Sequence, residues 1–448
     1  MDAIPLTVQR VEAMLNPDPS RVIARLFLPG EELTAGRSRS AAVVERVLAL
    51  PEAEVEEIAA SLIGDYGDRH RNYAAMLIEH ACLVSSHPPD GPLPVGGRAP
   101  RLSPARTLLL GASFTAEYAV EGAALCNPSA VLAPDQSGLA AGQSRVALSL
   151  RGVGEGHLSS IGFATAIAGP GADWEFEPRP LPAVAGVSTA GRPARRRAAE
   201  VPPGPVAPAY RVSFPPDVSL GQRVLLPSVA EESNGMEDAR FVLFTDADGV
   251  AEYRATYTAY DGSHIASRLL TSPDLRQFQA HRLTGPGARN KGMALFPRLV
   301  GGRQLALCRS DGERTFLSAS GDGFDWGEAE LVQSPQASWE LLQVGNGGPP
   351  IETDRGWLVL THGVGPMRRY SIGAVLLDLE QPARVIGRLP APLLAPDAAE
   401  RDGYVPNVVY SCGSFVHDGR LWLPYGIGDA RIAVGWVLLE ELLDRMSA

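Results

Sequence analysis

Ser272-Pro-Asp-Leu-Arg-Gln-Phe278 and Ser320-Gly-Asp-Gly-Phe-Asp-Trp326 share a Ser-x-Asp-x-x-x-aromatic spacing, 48 residues apart. A Ser and an Asp two residues apart can tie a tight turn to its own backbone, and the aromatic can then pack between neighbouring layers. Strand-like runs surround both copies: Tyr253-Arg-Ala-Thr-Tyr-Thr258 and Gln304-Leu-Ala-Leu-Cys308 close by, with Arg145-Val-Ala-Leu-Ser-Leu150, Arg240-Phe-Val-Leu-Phe-Thr245 and Gly356-Trp-Leu-Val-Leu-Thr361 further out. Short β-rich runs separated by turn residues predict a sandwich, barrel or propeller. A period of ~40 to 50 residues is the length of one four-stranded blade, which favours the propeller. The predicted fold is all-β, a five-bladed β-propeller over 101–448, with an N-terminal α-helical region over 1–100.

That first region reads differently. Ala41-Ala-Val-Val-Glu-Arg-Val-Leu-Ala-Leu50 and Pro51-Glu-Ala-Glu-Val-Glu-Glu-Ile-Ala-Ala-Ser-Leu62 place apolar residues three and four apart, as does the segment from Arg71 to Val84. A Pro- and Gly-rich run over 86–100 closes it, and from about Arg106 the period becomes that of strands. The apolar helix faces must pack on the β region or on a second copy of the chain, so self-association through them is one expectation. Residues 169–216, rich in proline and holding the basic run Arg192-Pro-Ala-Arg-Arg-Arg197, are expected to be an exposed, poorly ordered insertion.

Composition narrows the partners. The chain has 448 residues, with 40 Lys and Arg against 51 Asp and Glu and a net charge of -11. Such an acidic balance gives no global attraction for nucleic acid or an anionic membrane, and an anion site must be a local exception. No run approaches the ~18 apolar residues of a spanning helix, and the start resembles neither a signal nor a transit peptide, so a cytoplasmic location is expected. Cys82, Cys126, Cys308 and Cys412 lie far apart without a CxxC pair and read as buried free thiols. No metal or organic cofactor is expected.

Five segments gather polar side chains between strands: Asn234-Gly-Met-Glu-Asp-Ala-Arg240, Asn290-Lys-Gly-Met-Ala-Leu-Phe-Pro-Arg298, Cys308-Arg-Ser-Asp311, Gly345-Asn-Gly-Gly-Pro-Pro-Ile351 with Thr361-His-Gly-Val364, and Gly403-Tyr-Val-Pro-Asn-Val-Val-Tyr-Ser-Cys-Gly413. In a propeller, loops from successive blades meet at one end of the channel. Carboxylates with Asn, Tyr and Trp suit carbohydrate chemistry, where an acid protonates a glycosidic oxygen, and Lys and Arg suit an anionic co-substrate. Each residue also has a plainer reading. Glu237, Asp238 and Arg240 can cap a turn, His362 can be a core histidine, and Lys291 and Arg309 can be surface cations.

At these segments the sequence resembles glycoside hydrolase family 130, the inverting β-mannoside phosphorylases and related β-mannosidases, which are five-bladed propellers. Met236-Glu-Asp-Ala-Arg240 is similar to the family's Gly-x-Glu-Asp-Pro-Arg, and Asn290-Lys-Gly-Met-Ala-Leu-Phe-Pro297 to its Asn-Lys-Asp-x-x-Leu-Phe-Pro. His362-Gly-Val364, Tyr370-Ser-Ile-Gly-Ala374, Gly403-Tyr-Val-Pro-Asn-Val-Val409 and Tyr425-Gly-x-x-Asp429 follow in the family's order. Upstream, Asn127-Pro-Ser129 and Gly154-Glu-Gly-His-Leu-Ser-Ser-Ile161 resemble a longer bacterial branch with an N-terminal helical segment.

The resemblance implies a β-mannoside and inorganic phosphate as substrates, with no cofactor. Asp238 is the implied acid, acting through the mannose 3-hydroxyl while phosphate attacks from the opposite face. Lys291, Arg309 and His362 are the implied phosphate cradle, with Arg368 and Arg369 as further candidates. Glu237, Arg240, Tyr404, Asn407 and Asp429 are the implied sugar contacts. Three positions depart from the pattern. Ala239 stands for Pro, Gly292 for Asp, and Phe163-Ala164 for Phe-Arg, which keeps two alternatives in view: an inverting β-mannoside hydrolase, or a weakened carbohydrate-binding protein.

Overall fold

The computed structural model describes residues 6–29, 32–34, 37–86, 102–190 and 208–446. The chain divides into a unit of Pro19–Val120 with Leu181–Val184, and a unit of Met1–Asp18, Glu121–Pro180 and Ala185–Ala448.

The larger unit holds four hydrogen-bonded sheets among its described residues, and the largest, of twelve strands, divides at one parallel bridge between Gly235 and Ser159 into two antiparallel groups, so that five strand groups, each called a sheet below, follow in the chain. The first runs through Ala124–Leu132, Ser144–Val153, Ser159–Ala168 and Trp174–Phe176. Gly235–Thr245, Ala251–Tyr260, Ile265–Ser272 and Gln277–Arg282 form the second, extended by Tyr210–Ser213 and Val187–Ala190. Ala294–Leu295, Gln304–Cys308, Thr315–Ser320 and Glu330–Gln333 form the third. In the fourth, Gln343–Asn346 and Ile351–Thr353 lie along Gly356–Val364, followed by Tyr370–Leu377 and Val385–Arg388. The fifth orders Val409–Tyr410, Arg420–Ile427, Arg431–Leu438 and, from the chain's start, Gln9–Leu15.

The repeated turn motif acts as its chemistry predicts. Asp274 accepts from the backbone N–H of Arg276 and Gln277 at 2.9 and 2.8 Å, and Asp322 from those of Phe324 and Asp325 at 2.8 and 2.9 Å. Asp378 makes the same turn in the fourth sheet, without the serine or the aromatic. The two aromatics are buried between sheets: Phe278 stacks on Phe163 of the first sheet at 5.9 Å, and Trp326 joins Val242, Phe244 and Leu269 of the second. In the fourth sheet, Gly363 and Gly373 admit the Trp339 indole, which a Cβ would approach to 2.4 and 2.5 Å.

The smaller unit has helices Arg39–Ala49, Glu52–Tyr66, Tyr73–Ser86 and Pro104–Ser113, and a strand pair of Val22–Leu26 with Thr115–Ala119. Val44, Val47, Val55, Ala81, Val84, Leu110 and Phe114 form its core.

Four expectations change. The helical region does not end at residue 100, because Ser103 caps a fourth helix by accepting from Arg106 N at 3.1 Å, with Pro104 in the first turn. Nor does it start at residue 1, because Gln9–Leu15 is an edge strand whose Val11, Ala13 and Leu15 pack on the apolar cluster of the fifth and first sheets. Within 169–216, the described flanks are paired strands, since alternating apolar residues such as Tyr210 and Val212 are buried against the second sheet. Residues 191–207, with the basic run, and 87–101 lie outside the described residues. Cys126, Cys308 and Cys412 are buried free thiols, but Cys82 is exposed, on the outer side of its helix. No helix among the described residues is long and apolar enough to cross a membrane.

Candidate active site

Asp238 owes its position to an interruption in its strand. Pairing sets Glu237 opposite Thr258 and Arg240 opposite Thr256, so Asp238 and Ala239 together face one residue. Such a bulge bends the strand and re-aims a side chain, and Asp238 takes φ +55 to do so. The first sheet repeats the device. Cys126 faces Arg151 and Ser129 faces Ser149, with Asn127 at φ +50 in the bulge between them. Asn127 is therefore the counterpart of Asp238 one sheet earlier, and its amide donates to Asp238 Oδ1 at 2.6 Å. Arg151 donates to the same oxygen at 3.3 Å, to Glu237 Oε1 at 2.6 Å and to Ser159 Oγ at 3.0 Å.

Asp238 opens on a cavity of about 330 Å3, to which all five sheets or the loops entering them contribute. Asn127 and Arg151 come from the first sheet, Asp238 and Arg240 from the second. Asn290, Lys291, Gly292 and Arg309 belong to the third, His362, Arg368 and Tyr370 to the fourth, and Val405, Val408, Tyr410 and Asp429 to the fifth. Asn127, Asp238, Asn290, Arg368 and Asp429 all have positive φ, between +48 and +66. Backbone held in this sparsely populated region concentrates where a site must be preorganised.

Asp238 and Glu237 are already partnered. Burial works to raise the Asp238 pKa, but Arg151 first, then Arg240, the Asn127 hydrogen bond and Lys291, hold it below the usual carboxylate range. Burial raises Glu237 despite Arg151. Asp429 is pushed up to about 6, by burial first and then by the charge of Asp238.

The cations are not so partnered. Arg240 donates to Gly347 O and to Tyr410 Oη at 2.9 Å, and Arg309 to Gly312 O. Among the described residues no carboxylate stands within ion-pair distance of Arg240, Lys291, Arg309 or Arg368. Arg309 Nε and both ring nitrogens of His362 are buried without a well-formed hydrogen bond. Burial, then Arg309 and Arg240, holds His362 well below its ordinary pKa, so the ring is neutral. Buried donors without acceptors cost stability unless a ligand supplies the acceptors, and the charge and donors of this wall suit an anion.

Of the residues singled out from sequence, Asp238, Arg240, Lys291, Arg309, His362, Asp429 and Arg368 line this cavity. Glu237 lies behind Asp238 on Arg151. Tyr404 does not line it, being exposed and hydrogen-bonded to His157, and Asn407 does not either, contributing its carbonyl to Tyr370 N at 3.0 Å. Arg369 is directed to Pro396 O at 2.7 Å. Sequence reading passed over Asn127, Arg151, Tyr410 and Tyr370. Asn127 sits in a quoted motif, whereas Arg151 has no local signal beyond an arginine ending a strand.

The departures also find their places. Gly292 borders the cavity at φ +90, and a Cβ there would lie 3.1 Å from Arg309 Cδ. Ala164 is buried in the apolar cluster with Leu148, Leu150 and Trp422, away from the cavity lining. Ala239 occupies the bulge, its carbonyl accepting from Ser149 Oγ at 3.4 Å. Among the described residues no group of three His, Cys, Asp or Glu is arranged to hold a metal ion.

Both the sequence and the fold are matched among known proteins. Residues 219–448 match the model of glycoside hydrolase family 130, described as beta-1,4-mannooligosaccharide phosphorylase. A 1,2-beta-oligomannan phosphorylase of Thermoanaerobacter sp. (strain X514) is 34% identical over 230 residues, covering 50% of this chain and 75% of that protein. A beta-1,4-mannooligosaccharide phosphorylase of Ruminococcus albus is 34% identical over 167 residues, covering 35% of this chain and 50% of that protein. In fold, the chain is similar to a crystallised beta-1,2-mannobiose phosphorylase of Listeria innocua, with TM-score 0.52, 20% identity, and 73% and 93% of the two chains covered. The chain belongs to glycoside hydrolase family 130 and, with it, to the glycoside phosphorylases.

Proposed function

We propose that this protein cleaves short β-mannosides by inverting phosphorolysis, releasing α-mannose 1-phosphate and a sugar shortened by one unit. The observation that carries the reading is the single cavity in which Asp238 faces Arg240, Lys291, Arg309 and His362, cations and donors with no carboxylate of their own. Phosphate is an anionic nucleophile, so it needs a cationic cradle rather than a second carboxylate as base. Lys291, Arg309 and His362 form that cradle, the neutral imidazole serving as a hydrogen-bond donor. Asp238 protonates the leaving oxygen through the mannose 3-hydroxyl. Its pKa is low in the free protein because of the surrounding cations, and a bound phosphate dianion offsets them, raising it towards the value an acid needs. Arg240 and Asp429 contact the sugar in the cavity, with Glu237 holding Arg151, and Tyr404 and Asn407 on the rim loop.

Convergence of five strand groups on one cavity supports a five-bladed propeller, and self-association through the helical unit is a separate proposal that light scattering on the chain tests. A cytoplasmic location and phosphate as the sole co-substrate complete the reading. Incubation with β-1,2- and β-1,4-mannobiose, with and without phosphate, tests it. Mannose 1-phosphate formed only with phosphate supports phosphorolysis, whereas free mannose released without phosphate overturns it. One feature favours that alternative, inverting hydrolysis: Asp429, pushed up to about 6 in the same cavity, has the basicity to activate water.

A further inference from the structure

Glu400 is a nearly buried carboxylate outside the cavity, and three parts of the larger unit meet on it. Arg10, from the edge strand Gln9–Leu15, donates to it through two nitrogens, Nε to Oε1 at 3.0 Å and Nη2 to Oε2 at 2.8 Å. Tyr425 Oη, on the strand Arg420–Ile427, donates to Oε1 at 2.8 Å, and Asp397 N to Oε2 at 3.2 Å. Arg10 Nη2 also reaches Ala395 O at 3.1 Å. These bonds hold the start of the segment 395–408. Its far end supplies Val405 and Val408 to the cavity wall. There Val405 N donates to Gly428 O and Gly428 N to Val408 O, both at 2.8 Å, so the same segment brackets the turn that carries Asp429.

We infer that Arg10, through Glu400, is a positioning residue for the sugar-facing wall of the site, so that a residue near the beginning of the chain sets how the last sheet presents Val405, Val408 and Asp429. The inference rests on reading the cavity as a site for mannoside and phosphate. Its physical basis is that paired, forked contacts fix both distance and angle, and that Lys291 and Arg309 belong to the third sheet and make no hydrogen bond to this segment, which on the fourth sheet bonds Arg369 through Pro396 O and Tyr370 N through Asn407 O. Loosening the clamp therefore weakens sugar binding and leaves the anion side unchanged.

The experiment is steady-state phosphorolysis of mannobiose by the full chain and by Arg10→Ala, Glu400→Gln and Tyr425→Phe. The expected result is a KM for mannobiose raised about tenfold in Arg10→Ala and Glu400→Gln, with the KM for phosphate unchanged within about twofold. Tyr425→Phe, which removes one hydrogen bond and keeps the ion pair, is expected to raise the sugar KM about threefold, and it tests the clamp if the other variants fail to fold. Equal changes in both KM values, or a lowered melting temperature with unchanged kinetics, would overturn the inference. Wild type lacking phosphorolysis sinks the functional reading instead. Calorimetric titration of wild type and Tyr425→Phe with mannose and with phosphate separately then decides the clamp, which stands only if mannose binding alone weakens.

Discussion

The two sides of the cavity are built on opposite plans. On one side Asn127 and Arg151 saturate an oxygen of Asp238, and Arg151 also takes Glu237, so the acids are oriented before any ligand arrives. Across from them Arg240, Lys291, Arg309 and Arg368 have no carboxylate partner among the described residues, and His362 has no well-formed hydrogen bond. A finished acid and an unfinished cation wall are what a reaction between a neutral sugar and an anion requires. The acid must be aimed in advance, while the cations must stay free of internal carboxylates that would compete with the incoming anion.

Breaking the acid side has the largest expected effect. Asp238→Asn keeps the shape and the Asn127 and Arg151 neighbours, and kcat should fall about 10²- to 10⁴-fold with the melting temperature little changed, checked by phosphate-dependent release of mannose 1-phosphate. On the opposite side, Arg309→Ala should raise the KM for phosphate about 10- to 100-fold and move the sugar KM far less, the size expected for a lost charge-assisted hydrogen bond. A similar effect on both KM values would show that the two walls are not separate.

A change at the joint between carboxylates sharpens the comparison through pH. Arg151 lowers both Asp238 and Glu237, so Arg151→Met raises both. In the proposed reaction Asp238 acts in its protonated form, so activity is expected to fall as pH rises through its pKa. The alkaline limb of kcat/KM should therefore move upward by about one pH unit in the variant, and a downward shift would contradict the assignment. The smallest effect belongs to Gly292→Ala. At φ +90 and 3.1 Å from Arg309, the added methyl should cost about 1 kcal/mol in denaturant unfolding and raise the phosphate KM only a few-fold.

Legibility follows how local each signal is. The Ser-x-Asp turn was readable because its hydrogen bonds close within three residues, and Asp238, Lys291 and His362 were readable because they stand in short polar motifs. Arg151 and Tyr410 were not, since one reaches the acid from a neighbouring strand and the other meets Arg240 across 170 positions. Tyr404 and Asn407 show the converse, because their motif places the loop near the cavity but not their side chains in it.

Composition, the turn repeat and the strand-like runs determined by themselves that the chain is largely β, acidic and dependent on a local cationic pocket for any anion. These properties follow from periodicity and from residues bonded to near neighbours. Only the tertiary structure decided that Gln9–Leu15 completes the last sheet, that matched bulges bring Asn127 onto Asp238, and that the cations stay unpaired. Each of those depends on register, where a shift of one residue turns a side chain to the opposite face, and register is settled by packing across the whole sheet.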